Sequence, residues 1–158
     1  MAIALVRIDD RLVHGQVVEG WVPYLRADLV AVVSDAAAAD PVQLALMKMA
    51  LPAEVGLLAL GVSGAARALT GASSRRVLAL TPGPAEALAL LEQGLSVERV
   101  NVGGLHYTAG KVQLGRALFL DEADKSALRA IVARGVRLEG RALPTDPEED
   151  LRAALGAR

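Results

Sequence analysis

The sequence predicts a single α/β domain built on a mostly parallel, seven-stranded sheet with helices on both faces. Short apolar runs of strand length alternate with segments of helical periodicity along the whole chain, and this alternation is typical of βαβ units. The runs contain few polar residues, as expected for strands that are covered on both faces. The chain has 158 residues without an internal repeat or a shift in composition, so we expect residues 1–158 to form one domain.

The strands are assigned from apolar runs bounded by turn residues. The second is the clearest, because it is short and rich in β-branched residues. The predicted strands are residues 3–6, 28–34, 55–60, 76–80, 97–102, 117–120 and 136–141.

The helices are assigned from apolar spacing and end signals. Asp40 and Pro41 predict an N-cap followed by proline at the first helical position. The first helix, residues 16–25, contains Gly20 and Pro23, so we expect it to bend there. Residues 35–40 are predicted as a loop or short helical turn, residues 103–115 as an irregular loop, and the tail from residue 144 as weakly helical. The remaining predicted helices are residues 63–69, 85–93 and 121–134.

Composition narrows the class of function. Net charge is −1 and aromatic residues make up 3% of the chain, so neither a basic surface for nucleic acid nor a set of stacking platforms for bases is expected. There is no cysteine, which removes disulfides and thiolate chemistry. No apolar run reaches the length of a membrane span and the N-terminus does not resemble a signal peptide. We therefore expect a cytoplasmic protein.

The densest polar stretch is residues 7–16, which we call the first polar turn. It joins the first strand to the first predicted helix and contains two aspartates, two arginines, a histidine and a glycine. A helix N-terminus presents unbonded N–H groups and a positive dipole end, which favour a phosphate-sized anion. His14 stands at that position, and a neutral imidazole is a nucleophile that can carry a phosphoryl group. We predict His14 as the catalytic residue.

Residues beside His14 are assigned to the phosphate site. Arg11 would neutralise phosphoryl charge, bidentately in the best geometry. Gly15 would let the backbone approach the anion, and Gln16 would supply an N–H group of the helix start. The Asp10 carboxylate is predicted to accept a hydrogen bond from one ring nitrogen of His14 and so fix its tautomer.

A second polar segment, residues 103–115, follows the predicted fifth strand, and we call it the second polar loop. The carboxyl ends of parallel strands share one edge of a sheet, so both polar segments are expected at the same edge. Two glycines after a strand are often only turn chemistry, and a loop histidine is often only a surface residue. The residues assigned to the edge of the site are Arg7, Thr81, Gly103, Gly104 and His106.

Other interpretations of the same residues stay open at this point. The first polar turn alone is also compatible with a surface loop that caps a helix and forms internal ion pairs. Asp9 and Asp10 could hold Mg²⁺, with Asp35 as the best third ligand. Trp21 is expected in the core of the first helix, with a partner-binding anchor as its alternative.

The first polar turn resembles the active-site signature of the IIB subunits of the mannose/fructose/sorbose family of the bacterial sugar phosphotransferase system. The resemblance covers essentially the whole chain. In residues 81–85, where relatives typically carry a lysine and other polar residues, this chain has a proline-rich, uncharged loop. Further landmarks are Trp21, Asp40-Pro41, Asn101 to His106, Lys111, Gln113-Leu114, Asp121-Glu122 and Pro144 to Asp146.

The resemblance implies a seven-stranded, mostly parallel fold and a role in a phosphoryl relay. A phosphorylated IIA protein or domain would phosphorylate His14, on Nδ1 in the family, without a metal or organic cofactor. The phosphoryl group would then pass to a sugar at the membrane IIC/IID subunits, which would recruit the protein to the inner face of the plasma membrane. The alternative is a regulatory phosphoacceptor that signals without sugar transport. A homodimer is left open, and nucleic acid is not an expected partner.

Overall fold

A seven-stranded sheet forms the centre of the structure, a computed structural model that describes residues 2–71, 74–115 and 118–156. The strand order is β3-β2-β4-β1-β5-β8-β9, and all neighbouring pairs are parallel except β8 and β9. A separate antiparallel pair is formed by β6 and β7. The strands are β1 Ala2–Asp9, β2 Leu29–Val33, β3 Gly56–Leu60, β4 Arg76–Thr81, β5 Arg99–Gly104, β6 Val112–Gly115, β7 Leu118–Leu120, β8 Arg137–Gly140 and β9 Glu149–Asp150.

Helices connect the parallel strands. The N-cap predicted at Asp40 is confirmed, since Asp40 accepts hydrogen bonds from the N–H groups of Val42 and Gln43. At the start of α6, Asp121 forms a reciprocal capping box with Asp124. The helices are a π-helix Gln16–Trp21, α1 Val22–Leu25, α2 Asp35–Ala38, α3 Pro41–Ala50, α4 Ala65–Leu69, α5 Pro84–Glu92, α6 Glu122–Ala133 and α7 Leu151–Ala154. None of the helices in the described ranges is both long and apolar enough to cross a membrane.

The α/β fold class is confirmed, with an apolar core on each face of the sheet. Alternation along a strand produces the two cores, because successive side chains point to opposite faces. In β1, Val6 and Ile8 belong to one core whereas Leu5 belongs to the other. Trp21 lies fully buried in the second core, which favours the core interpretation of this residue over a partner-binding anchor.

The first predicted helix is not a regular α-helix around Gly20 and Pro23. The segment begins as a π-helix and continues as α1, with Val22 donating its N–H to the carbonyl of Val17, five residues earlier. Pro23 has no N–H to donate and its ring crowds the carbonyl of the preceding turn, so a regular α-helix is disfavoured here. A π-helical turn accommodates that mismatch and is frequent next to functional sites.

Two predictions about strands are wrong in detail. Residues 103–115 are not wholly irregular, because β5 continues to Gly104 and β6 pairs with β7. The predicted strand 117–120, of which Ala117 lies outside the described residues, therefore forms a hairpin instead of joining the main sheet. The seventh strand of the main sheet is instead β9, a two-residue strand in the predicted helical tail, which pairs with β8 at the edge. A segment of two residues is too short to show the alternating hydrophobic pattern of a strand, so pairing with β8 determines its conformation.

The sheet brings the two polar segments together. Strands β4, β1 and β5 are consecutive neighbours, and their carboxyl ends carry Thr81, Asp9 and Gly104. In register, Ile8 lies opposite Thr81 and Asp9 lies opposite Gly104. The shared edge that the sequence predicts is therefore confirmed.

Candidate active site

His14 is presented by a tight turn between β1 and the π-helix. The N–H of Leu12 bonds to the carbonyl of Asp9 at 3.0 Å, and the carbonyl of His14 accepts the N–H groups of Val17 and Val18 at 3.0 and 2.9 Å. Leu12 has a left-handed backbone, with φ of 58°, which costs a non-glycine residue about 1–2 kcal/mol. Its side chain is buried in the second core, so packing holds the strained turn in place.

The carboxylate that binds His14 is Asp9, not Asp10. The Nε2 of His14 lies 2.9 Å from Oδ2 of Asp9, which is fully buried, while the His14 side chain stays 16% exposed. The prediction that Asp10 fixes the tautomer of His14 is therefore wrong. The two aspartates diverge because neighbouring residues at the end of a strand point to opposite sides.

Asp9 is an ionised acceptor. Burial raises its pKa, but hydrogen bonds from His14 and Arg11 and the charge of Arg7 outweigh burial and lower the pKa to about 2. A carboxylate only accepts hydrogen bonds, so the proton in the His14–Asp9 bond belongs to Nε2 of His14. In a neutral ring this leaves the lone pair on Nδ1, the nitrogen that faces away from Asp9.

Arg7 is a fully buried cation underneath the site. Its guanidinium donates to Asp9 at 3.1 Å, to Oδ1 of Asn101 at 2.5 Å, and to the carbonyls of Arg141 and Ala142 at 2.9 and 3.0 Å. It also lies 4.9 Å from the centre of the Trp21 ring, within cation–π range. Burial lowers the pKa of Arg7, and the charge and hydrogen bond of Asp9 oppose that shift. Arg7 therefore supports the site from below.

Gly103 makes room for this cation. A β-carbon at position 103 would overlap the guanidinium of Arg7, whereas one at position 104 would lie 3.5 Å from Nη2 of Arg11 and 3.9 Å from Oδ1 of Asp9. Neither glycine has a positive φ. Both glycines therefore let neighbouring side chains approach the backbone closely. A side chain at position 103 would be tolerated less well than one at position 104.

Arg11 is the more accessible cation of the site. Its side chain is 36% exposed, and it is shared between Asp9, 3.3 Å from Nε, and Gln16, 2.9 Å from Nη2. Within the described residues, the N–H groups of Gly15 and Gln16 have no hydrogen-bond partner. A β-carbon on Gly15 would meet nothing within 4 Å. The surface above His14 therefore offers one guanidinium and two backbone donors to an incoming anion.

Asp10 instead joins the two polar segments. It accepts the backbone N–H of His106 at 2.7 Å, and its other oxygen lies 2.5 Å from Nδ1 of the His106 ring. Its own N–H donates to the carbonyl of Gly104 at 3.1 Å. His106 is thus brought to the edge of the site, where the sequence analysis assigned it.

Thr81 and Asp35 are engaged elsewhere. The Thr81 hydroxyl is buried and donates to the carbonyl of Gly83, and Asp35 accepts the N–H of Val62 at 2.8 Å. Asp9 is surrounded by cationic donors, which leaves its oxygens poorly suited to Mg²⁺. Across residues 2–71, 74–115 and 118–156, no group of three or more His, Cys, Asp or Glu side chains is placed to hold a metal.

Sequence reasoning missed two residues that support the site. Asn101 is fully buried in β5 and connects Arg7 to Glu139, whose carboxylate lies 3.3 Å from the Asn101 amide. Arg141 bonds to Glu139 at 3.1 Å, and its guanidinium lies 5.1 Å from the centre of the Trp21 ring. A buried polar side chain needs a partner, so the asparagine inside a predicted apolar strand was the available signal.

Comparisons with known proteins agree on one family. The family model for the PTS system sorbose subfamily IIB component matches residues 3–158. The N-acetylgalactosamine-specific phosphotransferase enzyme IIB component 2 of Escherichia coli is 37% identical over 150 residues, which cover 94% of this chain and 96% of that protein. The PTS system sorbose-specific EIIB component of Lacticaseibacillus casei is 33% identical over 157 residues, 98% of this chain and 96% of that protein.

A longer relative and a solved structure extend the comparison. The PTS system mannose-specific EIIAB component of Escherichia coli is 37% identical over 150 residues, and this chain spans 46% of its length. The crystal structure of the IIBSor domain of the sorbose permease from Klebsiella pneumoniae matches with a TM-score of 0.93 and 30% identity, covering 99% of this chain and 97% of that chain.

A methyl group at position 103 should destabilise the fold far more than one at position 104. We expect Gly103→Ala to reduce the free energy of unfolding by about 3 kcal/mol or more, because it displaces the buried Arg7 from Asp9. Gly104→Ala, the matched control, should cost under about 1 kcal/mol, because its methyl group meets the movable end of Arg11 and touches Oδ1 of Asp9 only at ordinary contact distance. Urea unfolding of the two variants checks this, and equal losses would contradict the assigned role of Gly103.

Asp9 should give the protein a distinct acid sensitivity. Its folded-state pKa of about 2 is below its ordinary value of 3.8, so its stabilising contribution is complete above pH 4 and is lost as pH falls toward 2. The difference corresponds to about 2 kcal/mol. Unfolding of wild-type protein and Asp9→Asn should therefore converge by about that amount between pH 4 and pH 2, and parallel profiles would contradict the assignment.

Proposed function

The chain belongs to the sorbose subfamily of phosphotransferase-system IIB components, and from that premise we propose that His14 accepts a phosphoryl group from a phosphorylated IIA protein and passes it to a sugar. IIB components are phosphotransferases. The sugar would be taken up through membrane IIC/IID subunits, which would hold this protein at the inner face of the plasma membrane. One observation carries the proposal: His14 is bound to Asp9 through Nε2, which leaves Nδ1 as the nucleophile, and the same carboxylate binds Arg11.

Acceptance requires an in-line approach of Nδ1 to the donor phosphorus. The bond from phosphorus to Nδ1 of His14 forms as the bond to the donor atom of IIA breaks, and the electron pair of that bond returns to the donor atom. Asp9 keeps the proton on Nε2 and stabilises the positive charge that develops on the His14 ring. The three equatorial oxygens of the moving phosphoryl group meet the guanidinium of Arg11 and the free N–H groups of Gly15 and Gln16.

Discharge requires that the phosphorylated state is not held too tightly. An interaction that stabilises phosphohistidine and the transition state equally does not accelerate the next step. Arg11 is shared between Asp9 and Gln16. Contact with the phosphoryl group would therefore replace hydrogen bonds that Arg11 already makes, and its net gain would be smaller than that of an unpaired guanidinium. This exchange supports a moderate stabilisation, which suits an intermediate that gives its phosphoryl group away.

The identity of the sugar is left open by the relatives. The names of similar proteins specify N-acetylgalactosamine, sorbose, fructose and mannose, at identities between 33% and 37%. In this chain, the loop after β4 is proline-rich and uncharged, and it lies next to the end of β1. A family-level match therefore supports a sugar as the class of acceptor without choosing among these.

Replacing His14 should abolish phosphoryl acceptance. With purified upstream carriers and a phosphorylated IIA protein, we expect His14→Ala to show no acid-labile phosphate while its circular dichroism and unfolding transition remain those of a folded protein. His106→Ala, which removes the other histidine, is the matched control and should still be phosphorylated. Phosphate on the His14→Ala protein would contradict the proposed site. Phosphorylation of the wild type without transfer to any sugar would favour a regulatory phosphoacceptor.

Replacing Arg11 should slow transfer without preventing it. We expect Arg11→Ala to reduce the single-turnover rate of His14 phosphorylation by about tenfold to a thousandfold, because it removes one charge from the transition state. Arg67→Ala, on the exposed surface of α4, serves as the control for loss of an arginine. A rate for Arg11→Ala equal to that of the control would remove Arg11 from the phosphate site.

A further inference from the structure

A second aspartate–histidine pair lies at the same edge of the sheet as His14. Asp10 binds both the backbone N–H and the ring Nδ1 of His106. The ring of His14 is bound by Asp9 and has no described hydrogen bond to this pair. The His106 ring is 59% exposed, and its side chain has no described hydrogen-bond partner besides Asp10. The His106 ring is therefore fixed by Asp10 through Nδ1 and remains largely exposed to solvent.

The backbone places this imidazole next to the phosphoryl site. Asp10 directly follows Asp9, and its N–H bonds to the carbonyl of Gly104. A β-carbon on Gly104 would lie 3.5 Å from Nη2 of Arg11, so the strand that leads into His106 already borders the cation of the phosphate site. His106 follows two residues later.

The bonding pattern of His106 assigns its protons. The carboxylate of Asp10 accepts a hydrogen bond from the backbone N–H of His106, and a carboxylate in contact with Nδ1 requires that nitrogen to be the donor. The lone pair of the neutral ring is then on Nε2, which has no described hydrogen-bond partner. This is the reverse of His14, whose Nε2 is bound by Asp9. The two rings thus present one free nitrogen each at the same edge.

We propose that His106 is a catalytic residue, the general base for transfer of the phosphoryl group from His14 to the sugar hydroxyl. The proposal rests on the proposed function. As the hydroxyl oxygen attacks phosphorus, its proton passes to Nε2 of His106, the new P–O bond forms and the P–N bond of phosphohistidine breaks. The electron pair of that bond returns to Nδ1 of His14. Asp10 holds Nδ1–H of His106 and stabilises the imidazolium that results.

The chemistry separates the two half-reactions. In acceptance from IIA the nucleophile is the Nδ1 lone pair of neutral His14, which carries no proton, so this step needs no base to deprotonate the nucleophile. Transfer to a hydroxyl oxygen releases a proton, and a positioned base typically accelerates such a step by about 10²–10⁴-fold. His106 should therefore matter for discharge to sugar and be silent in acceptance.

The test follows labelled phosphate through both half-reactions in His106→Asn. The asparagine amide lies close to the place of Nδ1 and keeps a donor toward Asp10, while the basic nitrogen is removed. Phosphorylated protein is mixed with unphosphorylated IIA, or with membrane vesicles that carry the IIC/IID subunits and mannose, fructose, sorbose or N-acetylgalactosamine. Tyr107→Phe, at the exposed neighbouring residue, is the matched control, and Asp10→Asn removes the carboxylate.

The expected result is a loss of about a hundredfold or more in transfer to sugar by His106→Asn, with unchanged exchange with IIA. Asp10→Asn should show a smaller loss in the same step. Equal slowing of both half-reactions would overturn the proposal, because it would indicate that the Asp10–His106 pair only holds the two polar segments together. An unchanged sugar step, or no transfer from wild-type protein to any of the four sugars, would overturn it as well. Acceptance on His14 is measured separately, so failure of the proposed function would be recognised on its own.

Discussion

The buried ion pair between Arg7 and Asp9 is the interaction on which the site depends. Both side chains are fully buried, and burying two charges is favourable only with close geometry and further hydrogen bonds. Those bonds are present: Arg7 also meets Asn101 and two carbonyls, and Asp9 also meets Arg11 and His14. The hydrogen bonds from His14 and Arg11, together with the charge of Arg7, keep Asp9 ionised, and an ionised Asp9 determines which nitrogen of His14 is free.

Adjacent aspartates perform separate tasks because of strand geometry. The side chain of Asp9 binds His14 within the first polar turn, whereas the side chain of Asp10 binds His106 in the second polar loop. Two acidic residues in sequence therefore do not form a paired carboxylate site. Each one instead fixes a different histidine, with the bound nitrogen reversed between the two rings. One dipeptide at a strand end thereby connects two loops that are more than ninety residues apart.

The role of His14 rests on a specific motif and stays a prediction. The sequence was sufficient for the fold class and for the sheet edge at which the two polar segments meet, because these follow from periodicity and from parallel strands. It was insufficient for the choice between Asp9 and Asp10. Either carboxylate could bind the imidazole on chemical grounds. Which one does so depends on the side of the strand end to which each side chain points, and this alternates from one residue to the next. It also missed β9 and the β6–β7 hairpin, since short strands form through pairing that no local pattern shows. Asn101 was visible in sequence, but its partner Arg7 is ninety-four positions away.

Charge distribution within the cluster bears on the proposed relay. Arg7 and Asp9 compensate each other in the interior, which leaves Arg11 as the cation with a partly exposed side chain beside His14. A phosphoryl group on Nδ1 would thus gain one accessible guanidinium, and Arg11 would exchange contacts with Asp9 and Gln16 to reach it. A second free cation would deepen the phosphorylated state and slow its discharge. Keeping Arg7 buried and hydrogen-bonded would let the site orient the His14 imidazole without binding a phosphoryl group too tightly for the proposed transfer.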